Sequence, residues 1–511
     1  MALKVGSPWA VSASIFTILL ATLFPFNFSY SLIIEFNNLF YAFRHPTNLS
    51  DSINNVLLFF PFGFTFTAFI KRSKLKIFVL LIIVFIISFS LSLTVELLQI
   101  LLPSRVTTVA DVINNSVGGL LGLLFFYIWE YRMNNSIWLL INISHNSLSI
   151  SHLILISITY SILYLTISLS LPIATSLSNW NPQYYLNLGN EATGNRAWEG
   201  YLYNLEIANK AISKEEVAKA FAQNKLLPNN HPALIANYDF ASDNSFVDTM
   251  GNAPPLSWQG ERKTIRYNQG IYLSSNQWLK TLQPASLITD HIRRNSQFTF
   301  STKFKTKYTY QGGLTRIISL SQDIYKRNFT LSQDKSNLVL RIRTPMSGNN
   351  GTNPQLVIPN FFADGKNHHL IITYNGSIIK FYIDKISNIY IFNFIPGFAI
   401  FNCLAFLGSG WDLYLNSFSQ LIYDGVYYSF TFMFWGILVG LIANILRQDK
   451  SLYFPLVIAL VVLPPIILEL LLSHQISTCW RWKNAVFCIT IAYISMMLFK
   501  LQLRLNNHKS S

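Results

Sequence analysis

The sequence predicts a multi-domain membrane protein: an α-helical transmembrane bundle of about eight helices, five before and three after an extracytoplasmic antiparallel β-sandwich. Three observations carry this reading. Of the 511 residues, 51% are hydrophobic and only 12% charged, too apolar for an ordinary soluble chain. The apolar residues gather in long runs before residue 172 and after residue 428. The stretch between them alternates short β-type segments with Asn, Gly, Asp and Pro turns. The expected domains are therefore 1–172, 173–427 and 428–511.

Apolar runs near the roughly 20 residues that cross a bilayer occupy positions 9–28, 54–70, 77–102, 112–129 and 150–171, then 430–446, 452–472 and 484–503. The first lacks a small-residue cleavage site and continues into Phe24-Pro25-Phe26, so it is expected to stay as an anchor. The second is short, and its Pro61-Phe62-Gly63 is expected to interrupt the helix, which is tolerable only under cover of neighbouring helices. Threading the spans alternately places Lys4, the basic cluster at 71–76, Arg132, Arg447, Lys450, Lys500, Arg504 and Lys509 on one side. Outside the large domain, the other side keeps only Arg44, Arg105, Arg481 and Lys483. The basic side is expected to be cytoplasmic, with both termini, and the sandwich outside. The net charge of +15 is dispersed along helix ends and strands, which argues against nucleic acid. Cys403, Cys479 and Cys488 have neither disulfide nor zinc spacing.

In the central region, strands are expected near 234–240, 270–274, 297–304, 315–321, 337–344, 369–374 and 378–383, with Asn375-Gly376 as a hairpin turn. Ser213 followed by Glu216 forms a capping box for one short helix. Tyr238-Asp239-Phe240, Gly365-Lys366-Asn367-His368-His369-Leu370 with the following Ile371-Ile372-Thr373-Tyr374-Asn375-Gly376, and Lys380-Phe381-Tyr382-Ile383-Asp384 resemble the laminin-G-like, concanavalin-A-like jelly rolls over most of 231–425. The resemblance implies binding of glycan or protein, or polysaccharide cleavage. Cleavage needs paired carboxylates about 5–10 Å apart, and no acids alternate along a strand to supply them. Trp258, Trp278 and Trp411 either stack on sugar rings or pack in the core. Asp239, Asp243 and Asp248 either hold a calcium ion or are solvated turn acids; no other cofactor is expected. Leu186-Asn187-Leu188-Gly189-Asn190 and Trp198-Glu199-Gly200-Tyr201-Leu202 look like a closing segment, yet precede the body. A second closing-like stretch, Leu407-Gly408-Ser409-Gly410-Trp411 and Asp424-Gly425-Val426-Tyr427, follows it. The domain is therefore expected to be permuted or to carry an extra strand set at its front.

The sharper pattern lies in the first four spans. Asp51-Ser52-Ile53-Asn54-Asn55 opens the second and Asp111-Val112-Ile113-Asn114-Asn115 the fourth; in each, Asp and the second Asn are i and i+4, on one helix face. Glu96 and Gln99 end the third span, followed by Arg105. A central acid or Arg costs roughly 2.5–3.5 kcal/mol to insert, so Asp51, Asn55, Glu96, Gln99, Arg105, Asp111 and Asn115 are expected to converge, with Gly118-Gly119-Leu120-Leu121-Gly122 allowing close helix approach. Phe24-Pro25-Phe26, Asp51 and Asn55 ahead of Leu57-Leu58-Phe59-Phe60-Pro61-Phe62-Gly63, Glu96-Leu97-Leu98-Gln99, Pro103-Ser104-Arg105, and Asp111, Asn115 and Gly118 resemble the VanZ-like family across residues 9–130. That resemblance implies a small helical membrane domain of the bacterial cell envelope, whose type member is linked to glycopeptide (teicoplanin) resistance.

The C-terminal spans echo it. Phe434-Trp435-Gly436 with Arg447 resembles the Pro-Phe-Gly span, and Ile466-Ile467-Leu468-Glu469-Leu470-Leu471 resembles the third. A degenerate repeat lacking the Arg and Asp-x-x-x-Asn equivalents is expected. The first polar cluster reads as interhelical glue, as an outer-leaflet pocket for a polar headgroup, or as a catalytic site with Glu96 or Asp111 as general base. The expected function is an accessory or anchoring envelope protein touching membrane lipid and binding polysaccharide, lipid-linked glycan or an envelope protein. The competing class is a membrane enzyme acting on a lipid-linked glycan or phospholipid.

Overall fold

Along α3 (Ile77–Gln99), Ser88, Ser92, Glu96 and Gln99 point inward while Phe85, Ile86, Phe89, Leu93 and Leu97 are exposed. This inverts the pattern of a soluble bundle and is the arrangement hydrocarbon selects, since lipid solvates apolar side chains and polar groups need protein partners. The computed structural model describes residues 8–24, 26, 28, 49–71, 76–102, 107–133, 150–241, 246–260, 266–267, 270–404, 411–415, 417–445, 450–476 and 480–507.

Before the sandwich come α1 (Pro8–Leu23), α2 (Leu49–Ile70), α3, α4 (Val109–Met133) and α5 (Ile150–Thr175); after it come α9 (Ser417–Ile445), α10 (Lys450–Ile476) and α11 (Trp482–Asn507). Among the described residues six helices are long and apolar enough to cross a membrane, and Pro8–Leu23 and Asn54–Ile70 are shorter apolar helices, as expected of a multi-pass membrane protein. Two expectations are corrected. α2 runs without a break through Pro61; Thr65 Oγ1 donates to the Pro61 carbonyl (2.9 Å), and Pro61 is exposed while Phe62 and Gly63 are buried. Asp424-Gly425-Val426-Tyr427 is not a closing strand but part of α9, ahead of the expected start at 430; Gln420 Nε2 donates to Asp424 Oδ2 (3.1 Å), so these polar residues find partners inside a helix.

The chain divides into two compact units, Met1–Leu155 and Ile156–Ser511. The expected first domain ran to residue 172; the compact unit ends inside α5. From Tyr160 onward α5 packs with the C-terminal helices: the Tyr160 ring stacks on Trp435, Tyr164 meets Phe432, Ser168 Oγ bonds Tyr427 Oη, and Gln475 Nε2 donates to the Leu169 carbonyl (2.6 Å).

In the sandwich, the strands are β1 (Tyr185–Leu188), β2 (Gly200–Ala208), β3 (Leu234–Asp239), β4 (Leu256–Gly260), β5 (Arg266–Tyr267), β6 (Gly270–Leu273), β7 (Gln277–Thr281), β8 (Phe298–Thr306), β9 (Gln311–Ser321), β10 (Arg327–Lys335), β11 (Asn337–Ile342), β12 (Gln355–Ile358), β13 (Asn367–Tyr374), β14 (Ile378–Ile383), β15 (Lys385–Asn393) and β16 (Asp412–Tyr414). One sheet has the order β16-β12-β11-β10-β9-β1-β7-β4, the other β15-β14-β13-β8-β2-β6-β5, with β3 also paired to β2. The closing-like segments ahead of the body are thus β1 and β2, which occupy interior positions of the two sheets rather than forming an added edge. Inward residues of both sheets meet in an aromatic core: Phe300 of β8 stacks on Phe329 of β10 at 4.4 Å, and Trp198 crosses Phe304 edge-on. Helices α6 (Lys214–Gln223), α7 (Ser286–Asn295) and α8 (Gly397–Leu404) are appended. The α6 capping box forms as expected: Glu216 N–H donates to Ser213 Oγ (3.2 Å), and Ser213 N–H to Glu216 Oε2 (2.7 Å).

The sandwich is joined to the helices without a spacer. Thr175, the last residue of α5, donates through Oγ1 to the Gly376 carbonyl (2.6 Å), and its own carbonyl accepts from Tyr374 Oη. At the return point, Asn393 N–H of β15 donates to Gln420 Oε1 of α9 (2.8 Å).

Candidate functional site

Of the seven residues expected to cluster, the structure gives side-chain placements for Asn55, Glu96, Gln99, Asp111 and Asn115. Arg105 and the side chain of Asp51 lie outside the described residues. The five belong to one end of the first unit, where α1 and α3 finish and α2 and α4 begin. Thr108 caps α4, its Oγ1 accepting from Asp111 N–H (3.0 Å), while Glu96 Oε2 accepts from Thr108 N–H (3.1 Å). A carboxylate is thereby held at the positive end of the α4 dipole. The two Asp-x-Ile-Asn-Asn motifs interlock, Asn55 Nδ2 donating to Asp111 Oδ1 (2.7 Å). Asn115 Nδ2 donates to Ser92 Oγ (2.9 Å), and Gln99 Nε2 to the Thr22 carbonyl (2.8 Å). Every one of these bonds joins different helices or caps one.

Glycine brings the helices close enough. A Cβ at Gly63 would lie 1.9 Å from the Gly119 carbonyl oxygen, one at Gly118 2.4 Å from the Val56 carbonyl oxygen, and one at Gly122 2.2 Å from the Phe60 carbonyl oxygen. The backbones of α2 and α4 are in direct contact, which only a Cβ-free seam permits.

Sequence reasoning missed a second cluster, in the C-terminal unit. Glu469 of α10 is fully buried; Tyr428 Oη of α9 donates to its Oε1, and Arg481 Nε lies 3.4 Å from its Oε2. Asn484 Nδ2 of α11 donates to Tyr428 Oη (3.3 Å). The signal that could have found it is numerical. Adding 373 carries Asp51 to Asp424, Asn55 to Tyr428, Gly63 to Gly436, Glu96 to Glu469, Asp111 to Asn484, Gly119 to Ala492 and Gly122 to Ser495. The helix starts Ile77 and Val109 map in the same way to Lys450 and Trp482. Contacts follow the same shift: a Cβ on Gly436 would lie 2.3 Å from the Ala492 carbonyl oxygen and 2.8 Å from Ser495 Cβ, as Gly63 meets Gly119 and Gly122.

The sandwich candidates separate. Trp278 is buried at 9% exposure. Trp258 and Trp411 are half-buried, Trp258 edge-on to Phe246 and Trp411 against Phe398. Asp248 Oδ1 accepts from the N–H groups of Asn237 and Met250, and Oδ2 from those of Asn252 and Ala253 (2.7–3.1 Å). Four donors on one carboxylate account for its burial as a turn organiser. Asp239 Oδ1 accepts from Ala241 N–H (3.0 Å), and Asp243 lies outside the described residues. Among the described residues no three His, Cys, Asp or Glu side chains converge to hold a metal.

The family model VanZ/LLP1 matches residues 3–130, the segment carrying α1 to α4 and the interlocked Asn–Asp cluster. That segment is VanZ-like. No curated protein and no solved structure matches the chain.

Proposed function

We propose that this chain is an accessory or anchoring protein of the bacterial cell envelope, whose helices hold an outward-facing sandwich that recognises glycan or an envelope protein. The observation that carries the reading is the engagement of the helical polar groups. The described bonds of Asn55, Glu96, Gln99, Asp111 and Asn115 run to other helices or helix caps, the work of a scaffold. The positive-inside distribution of Lys and Arg supports cytoplasmic termini and an outward-facing sandwich. A resistance-like role at the envelope follows the VanZ likeness of residues 3–130.

Architecture sharpens the reading. The constant shift of 373, shared by helix starts, cluster positions and the glycine seam, supports two VanZ-like four-helix units: α1 to α4, and α5 with α9 to α11. The grouping is then four plus four rather than five plus three, with the sandwich inserted between the first and second helices of the second copy. The test combines a reporter fused near residue 350 with binding of the full chain to a broad glycan array and to envelope extract. An outside reporter and saturable capture are expected; a cytosolic reporter, or no capture on either, refutes the proposal.

A further inference from the structure

On β10, Phe329 and Leu331 point into the core, so Thr330 and Ser332 point to the opposite face. Register places Arg316 of β9 beside Ser332 and Arg341 of β11 beside Thr330. Strand alternation sets Arg341 on the face away from the aromatic core; Arg316 reaches the same face through the register shift between Leu331 and Ser332, where its Nη1 meets Ser332 Oγ. Arg327, at the start of β10, and Arg196, in the β1–β2 connection, complete a cavity of about 280 Å³ together with Asn350 and Tyr325. Tyr325 is 68% exposed, so the cavity reaches solvent. Its volume far exceeds the ~10–15 Å³ that seats one water.

The charges are imperfectly matched. Arg316 Nη1 donates to Ser332 Oγ (2.9 Å), Arg341 Nε to Gln355 Oε1 (2.6 Å) and Arg196 Nη1 to the Gly313 carbonyl (2.7 Å). Fully buried Glu191 approaches Arg316 Nε at 3.5 Å and also acts on Arg327 and Arg341; Asp323 and Asp412 add to its effect on Arg327 and Arg341 from outside the lining. Arg327 is 2% exposed, and its Nε and Nη1 have no hydrogen-bond partner among the described residues. Burial, then the neighbouring Arg327 and Arg341, pull Arg316 down to about 9, and burial and Arg327 pull Arg341 down to about 10. Each guanidinium still carries its proton at neutral pH, so the strain is expressed as positive potential in the cavity.

We infer that this cavity binds an oxyanion carried on a glycan, the planar guanidinium donors of Arg327 and Arg316 pairing with its oxygens while the exposed ring of Tyr325 covers the adjoining sugar. The inference rests on the glycan-binding reading of the sandwich and names its ligand class. A uronate carboxylate and a phosphodiester share the required chemistry.

The test uses the full-length protein in lipid nanodiscs, titrated calorimetrically with oligogalacturonate, poly(glycerol phosphate) and neutral dextran. One or both anionic polymers are expected to bind, the stronger arm identifying the source, with affinity falling as salt is raised. R327Q and R196Q are each expected to weaken binding by about tenfold or more, the size of a lost charge-assisted hydrogen bond. The exposed-site control K366Q is expected to leave it unchanged. R196Q, at a partly exposed position, keeps the test valid if R327Q melts at a lower temperature than the parent. Dextran binding equal to that of the anions overturns this inference while leaving the glycan reading intact. Anion binding unchanged in both variants places the ligand elsewhere and overturns it too. Silence from all three polymers, with capture still seen on a broad array, also removes this inference alone.

Discussion

The two helical units place polar residues at matching positions, and the described partners of those residues differ. In the first, the described contacts are amide and capping bonds: Asn55 to Asp111, Asn115 to Ser92, Glu96 to Thr108 N–H. In the second, the position of Glu96 is held by Glu469, but its partners are Arg481 and Tyr428. Gly119 and Gly122 of the first seam become Ala492 and Ser495. What the two seams share is one glycine, Gly63 or Gly436, at which a Cβ would lie 1.9 or 2.3 Å from a carbonyl oxygen of the facing helix; the residues that face it and the donors that meet the buried carboxylate both differ.

The largest effect should come from the seam. G63L places a side chain where 1.9 Å separates its Cβ from backbone, so the first unit should lose more than about 3 kcal/mol and become protease-sensitive while the second stays intact. G436L should do the reverse. Loss of both units in either variant would end the description of two independent units. Next comes the carboxylate. E469Q leaves Arg481 without its buried counter-charge and should cost about 3–5 kcal/mol. E96Q keeps an oxygen for Thr108 N–H and should cost less than E469Q; equal losses in detergent melts would contradict the contrast.

A pH dependence should also tell the two units apart. Glu206, in the sandwich that only the second unit carries, is raised to about 7 by burial despite accepting from Leu226 N–H. The folded state holds this proton more tightly than the unfolded chain. Stability is therefore greatest below about pH 4.5, falls as pH rises to about 7, and stays lower above. His369 runs the other way: burial, then Lys303, hold it down to about 4, so its contribution is present above about pH 6.5 and lost as pH falls toward 4. E206Q should remove the first limb, raising stability at pH 8 by up to about 3 kcal/mol, and should move only the second unit's melting transition. A pH profile identical to the parent's would show that Glu206 ionises freely.

Much of this was legible in the sequence. Hydropathy located the membrane helices, alternation located strands such as Ile378–Ile383, and the i,i+4 spacing of Asp111 and Asn115 anticipated their common helix end. What escaped depended on distance along the chain. Asp424 read as sandwich because helix and strand patterns overlap in a short polar stretch, and its bond to Gln420, like that of Tyr428 to Glu469, exists only after folding. The arginines of β9, β10 and β11 escaped for the same reason: Arg316, Arg327 and Arg341 are separated by turns, and only sheet register makes them neighbours.

The bonds from Thr175 and Gln420 into the sandwich have a mechanical meaning. A domain hung from one flexible linker sweeps a volume and finds ligands by search; one bolted to two adjacent stalks keeps a fixed height and heading. Such a bracket gives up reach and gains leverage, so a tug on the sandwich is delivered straight into the packing of α5 against α9.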